Sequence, residues 1–488
     1  MNIKYMKHQA EAIRRAAQHP RYGFWLGCGT GKTIAMLGTI AASKAAATGI
    51  AGELADVFPD AQATVRIETT EGPDSVPAPK YYKTVVVCPK AIMRNAWERD
   101  AEHFPTLNVV VCWATTPAKR KALIDTPDAD ILVLNFEMFK KHRRDLYNAG
   151  VRRVIVDESS KLKSHETQVT KAMIEWCDHM QSVYLLSGTP APNNDSEYWS
   201  QFRCIDKAVF GDSFYRFASE YFVPLKRTVN GRTVVVGYKE KEEKRALFAK
   251  RMRARSWSLR KEDAVDLPEQ VDVVRRFELS KDERAAYDDL ETQLRTEATG
   301  GTLNVKAEAL ANKLRQVCGG WAYQDAEAVD IGRSKLDTLN DLLDEIGPQP
   351  AVIWIDYRED SRRVAALCEK RGEAAAVLDG GTNGNAVKGI VDDFQSGKLK
   401  RIICHPASVG HGITLTSASY MVFYSPIWSA ELYVQARDRI HRKGQTNRCT
   451  YYHLVADDTI ERSVLWACRH KKTKSEAMMA MLANKRTQ

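Results

Sequence analysis

The sequence predicts an α/β protein made of two parallel-sheet lobes with helical insertions between them. Three observations carry that expectation. Short β-branched or leucine-rich runs alternate with longer helical patterns in two separate series. The stretch between the series, residues about 195 to 335, has few such runs and much charged helical pattern. A chain of 488 residues also exceeds one ordinary core, so two or three domains are expected. The expected division is 1–200 for a first lobe, 201–330 for a helical middle and 331–488 for a second lobe.

The first series is "KTVVVCPK" (83–90), "ADILVLNF" (129–136), "RRVIVDES" (152–159) and "SVYLLSGTP" (182–190). Each run ends in Pro, Gly or a polar cluster. Such runs read as buried parallel strands with functional loops at their C-terminal ends. The second series is "AVIWIDY" (351–357), "AAAVLDGG" (374–381), "KRIICHP" (400–406), "YMVFYSP" (420–426) and "CTYYHLV" (449–455). Two segments punctuate the pattern. "TTEGPDSVPAPKYY" (69–82), with three prolines, predicts an exposed loop or insertion. "VNGRTVVVGY" (229–238) places Asn-Gly before a β-branched run, a hairpin signal.

Charge and cysteine usage narrow the class. A net charge of +10 suits a polyanionic partner such as nucleic acid. Ten cysteines are scattered with no C-x-x-C pair, which predicts reduced thiols and a cytoplasmic setting, with neither a zinc site nor a disulfide framework. The opening "MNIKYMKHQAEAIRRAAQ" has no apolar core of a signal peptide, and no run approaches a membrane span.

The chemistry starts at "FWLGCGTGKT" (24–33). Glycines let backbone N–H groups close around phosphate oxygens, and the following helix adds its positive N-terminus. Gly27, Gly29, Thr30, Gly31, Lys32 and Thr33 are the candidate ATP-binding residues, with Lys32 on the β- and γ-phosphates and the Thr33 hydroxyl on Mg²⁺. The strict phosphate-loop pattern wants a further glycine where Leu26 stands. About 125 residues after Lys32, "VIVDES" (154–159) delivers two acids from a buried strand. Asp157 would hold Mg²⁺, and Glu158 would polarise the attacking water.

With these motifs in order, the chain resembles superfamily 2 helicase-like ATPases, and within them the SWI/SNF-type DNA-dependent ATPases. "YMKHQ" (5–9) resembles the motif in which Gln9 would read adenine. "VVVCPKAIMRNAW" (85–97), "LNFEMF" (134–139) and "LLSGTPAPN" (185–193) resemble motifs Ia, Ib and III. "LRKEDAVDLPEQ" (259–270), "RFELSKDERAAYDDL" (276–290), "LRQVCGG" (314–320) and "SKLDTLNDLL" (334–343) continue the likeness. "VIWIDYRED" (352–360), "SVGHGITLTSA" (408–418) and "QARDRIHRKGQ" (435–445) resemble motifs IV, V and VI.

The resemblance implies two RecA-like lobes, ATP and Mg²⁺ as cofactors, and double-stranded DNA, bound without sequence preference, as partner. It makes Arg439 and Arg442, three apart and on one face if helical, arginine fingers for the γ-phosphate. Gln435 and Gln445 would couple the sites. Lys90, Arg94, Ser187, Thr189, Gly410, Gly412 and Thr414 would contact DNA phosphates, with "KKHRR" (140–144) and "KRMRARSWSLRK" (250–261) adding positive charge. Trp199, Trp257, Trp321 and Trp428 are candidates for stacking on bases, with core packing the expected fate of most. Three departures stand out. Ser159 and Ser160 replace a small residue and a histidine after the acids, Thr414 stands for an asparagine, and Ser425 stands for an aspartate near Trp428.

The motif set occupies nearly the whole length, so the expectation is a lean, bacterial or phage-type, monomeric motor translocating on duplex DNA. Two alternatives stay open: a true DNA or RNA helicase, and a DNA-binding scaffold that does not hydrolyse ATP.

Overall fold

In the computed structural model the described residues are 3–27, 29–48, 64–69, 72–77, 80–114, 116–229, 232–264, 267–297, 305–324, 327–382, 384–406 and 413–470. The chain divides into two compact units, the first spanning Met1–Arg227 and Thr233–Asp266, the second Thr228–Arg232 and Leu267–Gln488. The expected helical middle is therefore shared between units, divided after Asp266.

The first unit is built on a seven-stranded sheet. Its strands are β1 (Arg21–Leu26), β2 (Thr84–Cys88), β3 (Val109–Val111), β4 (Ile131–Asn135), β5 (Arg153–Asp157), β6 (Ser182–Leu186) and β7 (Ser256–Leu259). The order is β7-β1-β6-β5-β2-β4-β3, parallel throughout. Both faces are covered, which is why Val154–Val156 and Val85–Val87 are apolar without alternation and wholly buried. Helix α1 (Lys7–Gln18) packs on α2 (Lys32–Ala47), which leaves the phosphate loop after β1. Helix α3 (Tyr198–Ile205) lies in the aromatic core with Trp25, Phe210 and Phe248.

The second unit holds a six-stranded parallel sheet. Its strands are β8 (Gln270–Phe277), β9 (Ala351–Trp354), β10 (Ala375–Leu378), β11 (Arg401–Cys404), β12 (Tyr420–Phe423) and β13 (Cys449–Ala456), in the order β8-β13-β12-β9-β11-β10. A buried ion pair, Lys335 with Glu461, joins helices Ser334–Ile346 and Ile460–Arg469 beneath it.

Three expectations need correction. Residues 69–82 are not simply a loop: Gly72–Pro77 pairs antiparallel with Thr64–Thr69, and its prolines are tolerated because it is an edge strand. The middle stretch is richer in strands than its charge suggests, since β7 and β8 each complete the edge of a sheet. The basic segment 250–261 thus contains a sheet strand as well as a cationic helix, Arg245–Arg253. The hairpin near 229–238 is present as Phe222–Val229 and Arg232–Glu240, while its Asn230-Gly231 turn lies outside the described residues. Nine cysteines are described; all are buried, and none of these forms a disulfide. No described helix is long and apolar enough to cross a membrane.

Candidate ATP site and the arginine turn

The site in the first unit forms at the C-terminal ends of β1 and β5, the two neighbours of β6. After Leu26 the chain turns through Gly29 and Gly31, both left-handed at φ 80° and 77°, a conformation open to glycine. Gly31 caps α2, so the helix N-terminus opens directly onto the loop. Lys32 Nζ donates to the carbonyls of Leu26 and Gly27 at 2.9 and 3.2 Å. From α1, His8 Nε2 lies 2.8 Å from the Thr30 carbonyl, and Gln9 Nε2 donates to Thr30 and Gly31 carbonyls at 3.4 and 3.3 Å. Gln9 thus braces the loop. Thr33 lies in the first turn of α2, half-buried. Cys28 lies outside the described residues.

The acidic pair is held tightly. Asp157 is buried; its Oδ2 accepts from Trp97 Nε1 at 3.0 Å and its Oδ1 from the Glu158 amide at 3.0 Å. Burial pushes its carboxyl above the ordinary value, and the Lys32 charge and the Trp97 bond pull it back. Each carboxylate oxygen accepts one N–H here and has a second lone pair, so the group suits a hard cation such as Mg²⁺. Glu158 sits at φ 55°, ψ 54°, a left-handed conformation that costs a side-chain-bearing residue about 1–2 kcal/mol. Such strain concentrates at functional sites.

Two participants escaped the sequence reading. Trp97 stands in a π-helical turn, Met93–Glu98, a geometry common at functional sites. Gln201, fully buried on α3, accepts from Ser159 Oγ at 2.8 Å and donates to the Pro190 carbonyl at 2.7 Å. Trp97 lies 60 residues from Asp157 and Gln201 lies 42 from Ser159, so spacing gives no signal.

The arginines are in the second unit, and their setting differs from the expected helix. Helix α4 (Ala430–Arg437) ends before Arg439. The Arg439 carbonyl accepts from the Leu415 amide at 2.9 Å, and the Ile440 carbonyl from Gln445 Nε2 at 3.2 Å. Both arginines thus lie in a turn beyond the helix, tied to Leu415 across the fold and to Gln445 within the turn. The pair is brought together another way: Arg439 and Arg442 both donate to the Ile413 carbonyl, at 3.3 and 3.2 Å. Gln445 also donates to the Ala418 carbonyl at 2.7 Å and accepts from the Thr446 and Asn447 amides, fastening this turn to the segment around Thr416. Gln435 is buried and donates to Glu431 at 3.4 Å.

Just before the turn, Arg437 donates to Asp272 at 2.6 Å and Gln270 at 3.1 Å and lies 3.9 Å from the Tyr451 ring centre. His453 Nε2 is 2.9 Å from Asp272; a carboxylate only accepts, so that nitrogen carries the proton. Burial alone would raise the Asp272 carboxyl, but bonds from His453 and Arg437 hold it well below the usual carboxylate range. Burial pushes the His453 imidazole down.

The expected DNA-contact residues divide. Lys90 is exposed over the Trp113 ring at 4.3 Å, and Arg94 is exposed 3.8 Å from Glu98. Thr189 and Thr414 are half-buried. Ser187 is fully buried and accepts from the Thr189 amide, so it shapes the turn rather than lining the surface. Gly410 and Gly412 lie outside the described residues. Trp199 and Trp321 are core residues; Trp257 and Trp428 pack under Arg15 and Arg315 at 4.8 and 5.3 Å. Ser425 donates to buried Asp360 at 2.6 Å, so a carboxylate is supplied there from another position.

Among known families, the model of the SNF2-related domain matches residues 27–319, and that of the helicase conserved C-terminal domain matches residues 334–444. The chain is 24% identical over 414 residues to YwqA of Bacillus subtilis (strain 168), covering 81% of this chain and 43% of that protein. It is 25% identical over 425 residues to protein p41 of Acyrthosiphon pisum secondary endosymbiont phage 1, covering 82% of this chain and 88% of that one. It is 24% identical over 404 residues to the ISWI chromatin-remodeling complex ATPase ISW1 of Saccharomyces cerevisiae, covering 78% and 34% respectively. The chain therefore spans less than half the length of YwqA and about a third of ISW1.

Proposed function

The chain belongs to the SNF2-related family of helicase-like ATPases, and from that premise we propose that it hydrolyses ATP in response to duplex DNA and moves along it. The observation that carries the reading is the meeting of Lys32 and buried Asp157, whose charges act on each other at the mouth of a glycine-built loop.

In this reading the Gly27–Thr33 loop and the α2 N-terminus take the β- and γ-phosphates, with Lys32 exchanging its carbonyl partners for phosphate oxygens. Asp157 and Thr33 would hold Mg²⁺, whose bound charge offsets that building on the phosphoryl oxygens. Glu158 orients water and takes its proton. Arg439 and Arg442 present guanidinium forks to the transition-state charge without titrating. Lys90, Arg94, Thr189, Gly410, Gly412 and Thr414 contact the DNA backbone, and none of these contacts needs a base edge. Binding is then sequence-independent and falls steeply with salt. The net charge of +10 supports a polyanionic partner.

ATPase rates measured side by side with no nucleic acid, single-stranded DNA, duplex DNA and RNA test this. Stimulation by duplex DNA above the other three is the expected result. Preference for RNA or single strands would sink the duplex assignment, and efficient strand displacement in a fluorescent assay would make the protein an unwinding helicase instead.

A further inference from the structure

The family that the acidic motif resembles places a histidine at the position of Ser160, and that residue is missing here. We propose that the Ser159 hydroxyl, the Gln201 amide and the Pro190 carbonyl form a relay between the Glu158 turn and the loop 187–193, through which DNA at that loop speeds hydrolysis. The proposal rests on the reading of duplex DNA as partner.

The polarity of the relay is fixed. Gln201 Oε1 accepts from Ser159 Oγ at 2.8 Å, while its Nε2 donates to the Pro190 carbonyl at 2.7 Å. Turning the amide over would set two acceptors, Oε1 and the Pro190 carbonyl, against each other. Ser159 directly follows Glu158, whose left-handed backbone is an unusual conformation for that residue. A displacement of the serine is therefore a displacement of the carboxylate. At the other end, Pro190 follows Thr189, the half-buried threonine proposed to meet a DNA phosphate.

The middle of the relay is rigid. Gln201 and Ser159 are fully buried, so neither bond competes with water. Ser200 donates to the Leu162 carbonyl, which fastens α3 to the same turn that carries Ser159. A second Gln201 bond, to the Glu197 carbonyl at 3.3 Å, keeps the amide in line. Gln201 is thus a positioning residue, acting on Glu158 through Ser159.

The test uses the full chain and three variants: Gln201→Met, which keeps length but removes both bonds, Ser159→Ala, and the double substitution. Each is assayed for ATP turnover with and without duplex DNA, for ATP KM, for duplex Kd and for Tm. Each single variant is expected to lower the ratio of stimulated to unstimulated turnover by roughly tenfold, the scale of one lost buried hydrogen bond. ATP KM and duplex Kd should stay within about twofold. Because both substitutions break one chain of bonds, the double variant should be no worse than either single one.

A wild-type stimulation ratio in Gln201→Met and Ser159→Ala overturns the relay while leaving duplex-stimulated hydrolysis intact. Losses that multiply in the double variant, alongside a lower Tm, overturn it in favour of two separate packing defects. Should Gln201→Met fail to fold, Ser159→Ala, which removes one oxygen, decides alone. A wild-type chain that duplex DNA does not stimulate brings down both the relay and the reading it rests on.

Discussion

Arg439 and Arg442 aim their Nη1 atoms at one acceptor, the Ile413 carbonyl oxygen, from 3.3 and 3.2 Å. Two cations so placed offer an anion a ready-made fork. Arg442→Ala is expected to keep nucleotide and DNA binding but to lose about 10³-fold or more in turnover. Arg442→Lys should recover little, because an ammonium lacks the planar fork. Steady-state ATPase assays beside a fluorescent-nucleotide titration check this; near wild-type hydrolysis in Arg442→Ala would remove the residue from the chemistry.

Lys32 and Glu158 should fail in different ways. Lys32→Ala loses ATP binding and turnover together, since the ammonium serves the ground state. Glu158→Gln keeps ATP binding and lowers kcat by about 10²–10⁴, the usual worth of a general base. An ATP affinity that falls equally in both variants would mean that Glu158 binds rather than reacts.

A side chain at Gly31 would have to push Gln9 aside and adopt a strained backbone. A Cβ there would lie 2.2 Å from Gln9 Nε2, and φ is +77°. Gly31→Ala is expected to weaken ATP binding severalfold by displacing Gln9 and distorting the loop, at a backbone cost of about 1–2 kcal/mol. Isothermal titration with a non-hydrolysable nucleotide reads the effect, and an unchanged affinity would refute the bracing role of Gln9.

The second unit should be sensitive to mild acid. The His453 imidazole is pushed down by burial, so the folded state holds it neutral where an unfolded chain binds a proton. The stabilisation from the neutral form is fully present above the ordinary histidine value of about 6.5 and declines as pH falls from there toward the lowered folded value. Tm of the second unit should therefore drop between pH 7.5 and 5.5, and His453→Gln should flatten that slope. A slope of equal steepness in the variant would assign the acid sensitivity elsewhere.

Lys335 and Glu461 form an ion pair with both side chains 1% exposed. Lys335→Met leaves a buried carboxylate and should cost about 3–5 kcal/mol. Lys335→Met with Glu461→Leu should recover most of that loss. Denaturant midpoints distinguish the two outcomes, and a double variant as unstable as the single one would show that the pair itself is strongly favourable.

Local structure that depends on near neighbours is legible in the sequence. The glycines and Lys32 lie within one short segment, and Val154–Val156 end in Asp157, so local pattern sufficed. The strands β7 and β8 were harder. Ser256–Leu259 sits among arginines, and Gln270–Phe277 mixes valines with charges, its exposure alternating because one side of an edge strand meets solvent. Arg439 and Arg442 meet at the Ile413 carbonyl, in a turn after α4 rather than along one helix face, a contact across 26 and 29 residues that local spacing does not show. Trp97 and Gln201 reach their partners across 60 and 42 residues, contacts that only the folded chain creates.

The interior cysteines make the protein convenient to watch at work. Burial raises the Cys112 and Cys468 thiols to about 12 and the Cys368 thiol to about 11, which leaves almost no reactive thiolate at neutral pH. Once Cys28 is replaced, a maleimide dye should couple to one cysteine introduced on the surface and ignore the others. A pair of such labels, one on each unit, would then follow movement during turnover by energy transfer, with no need to strip the native sulfur from the core.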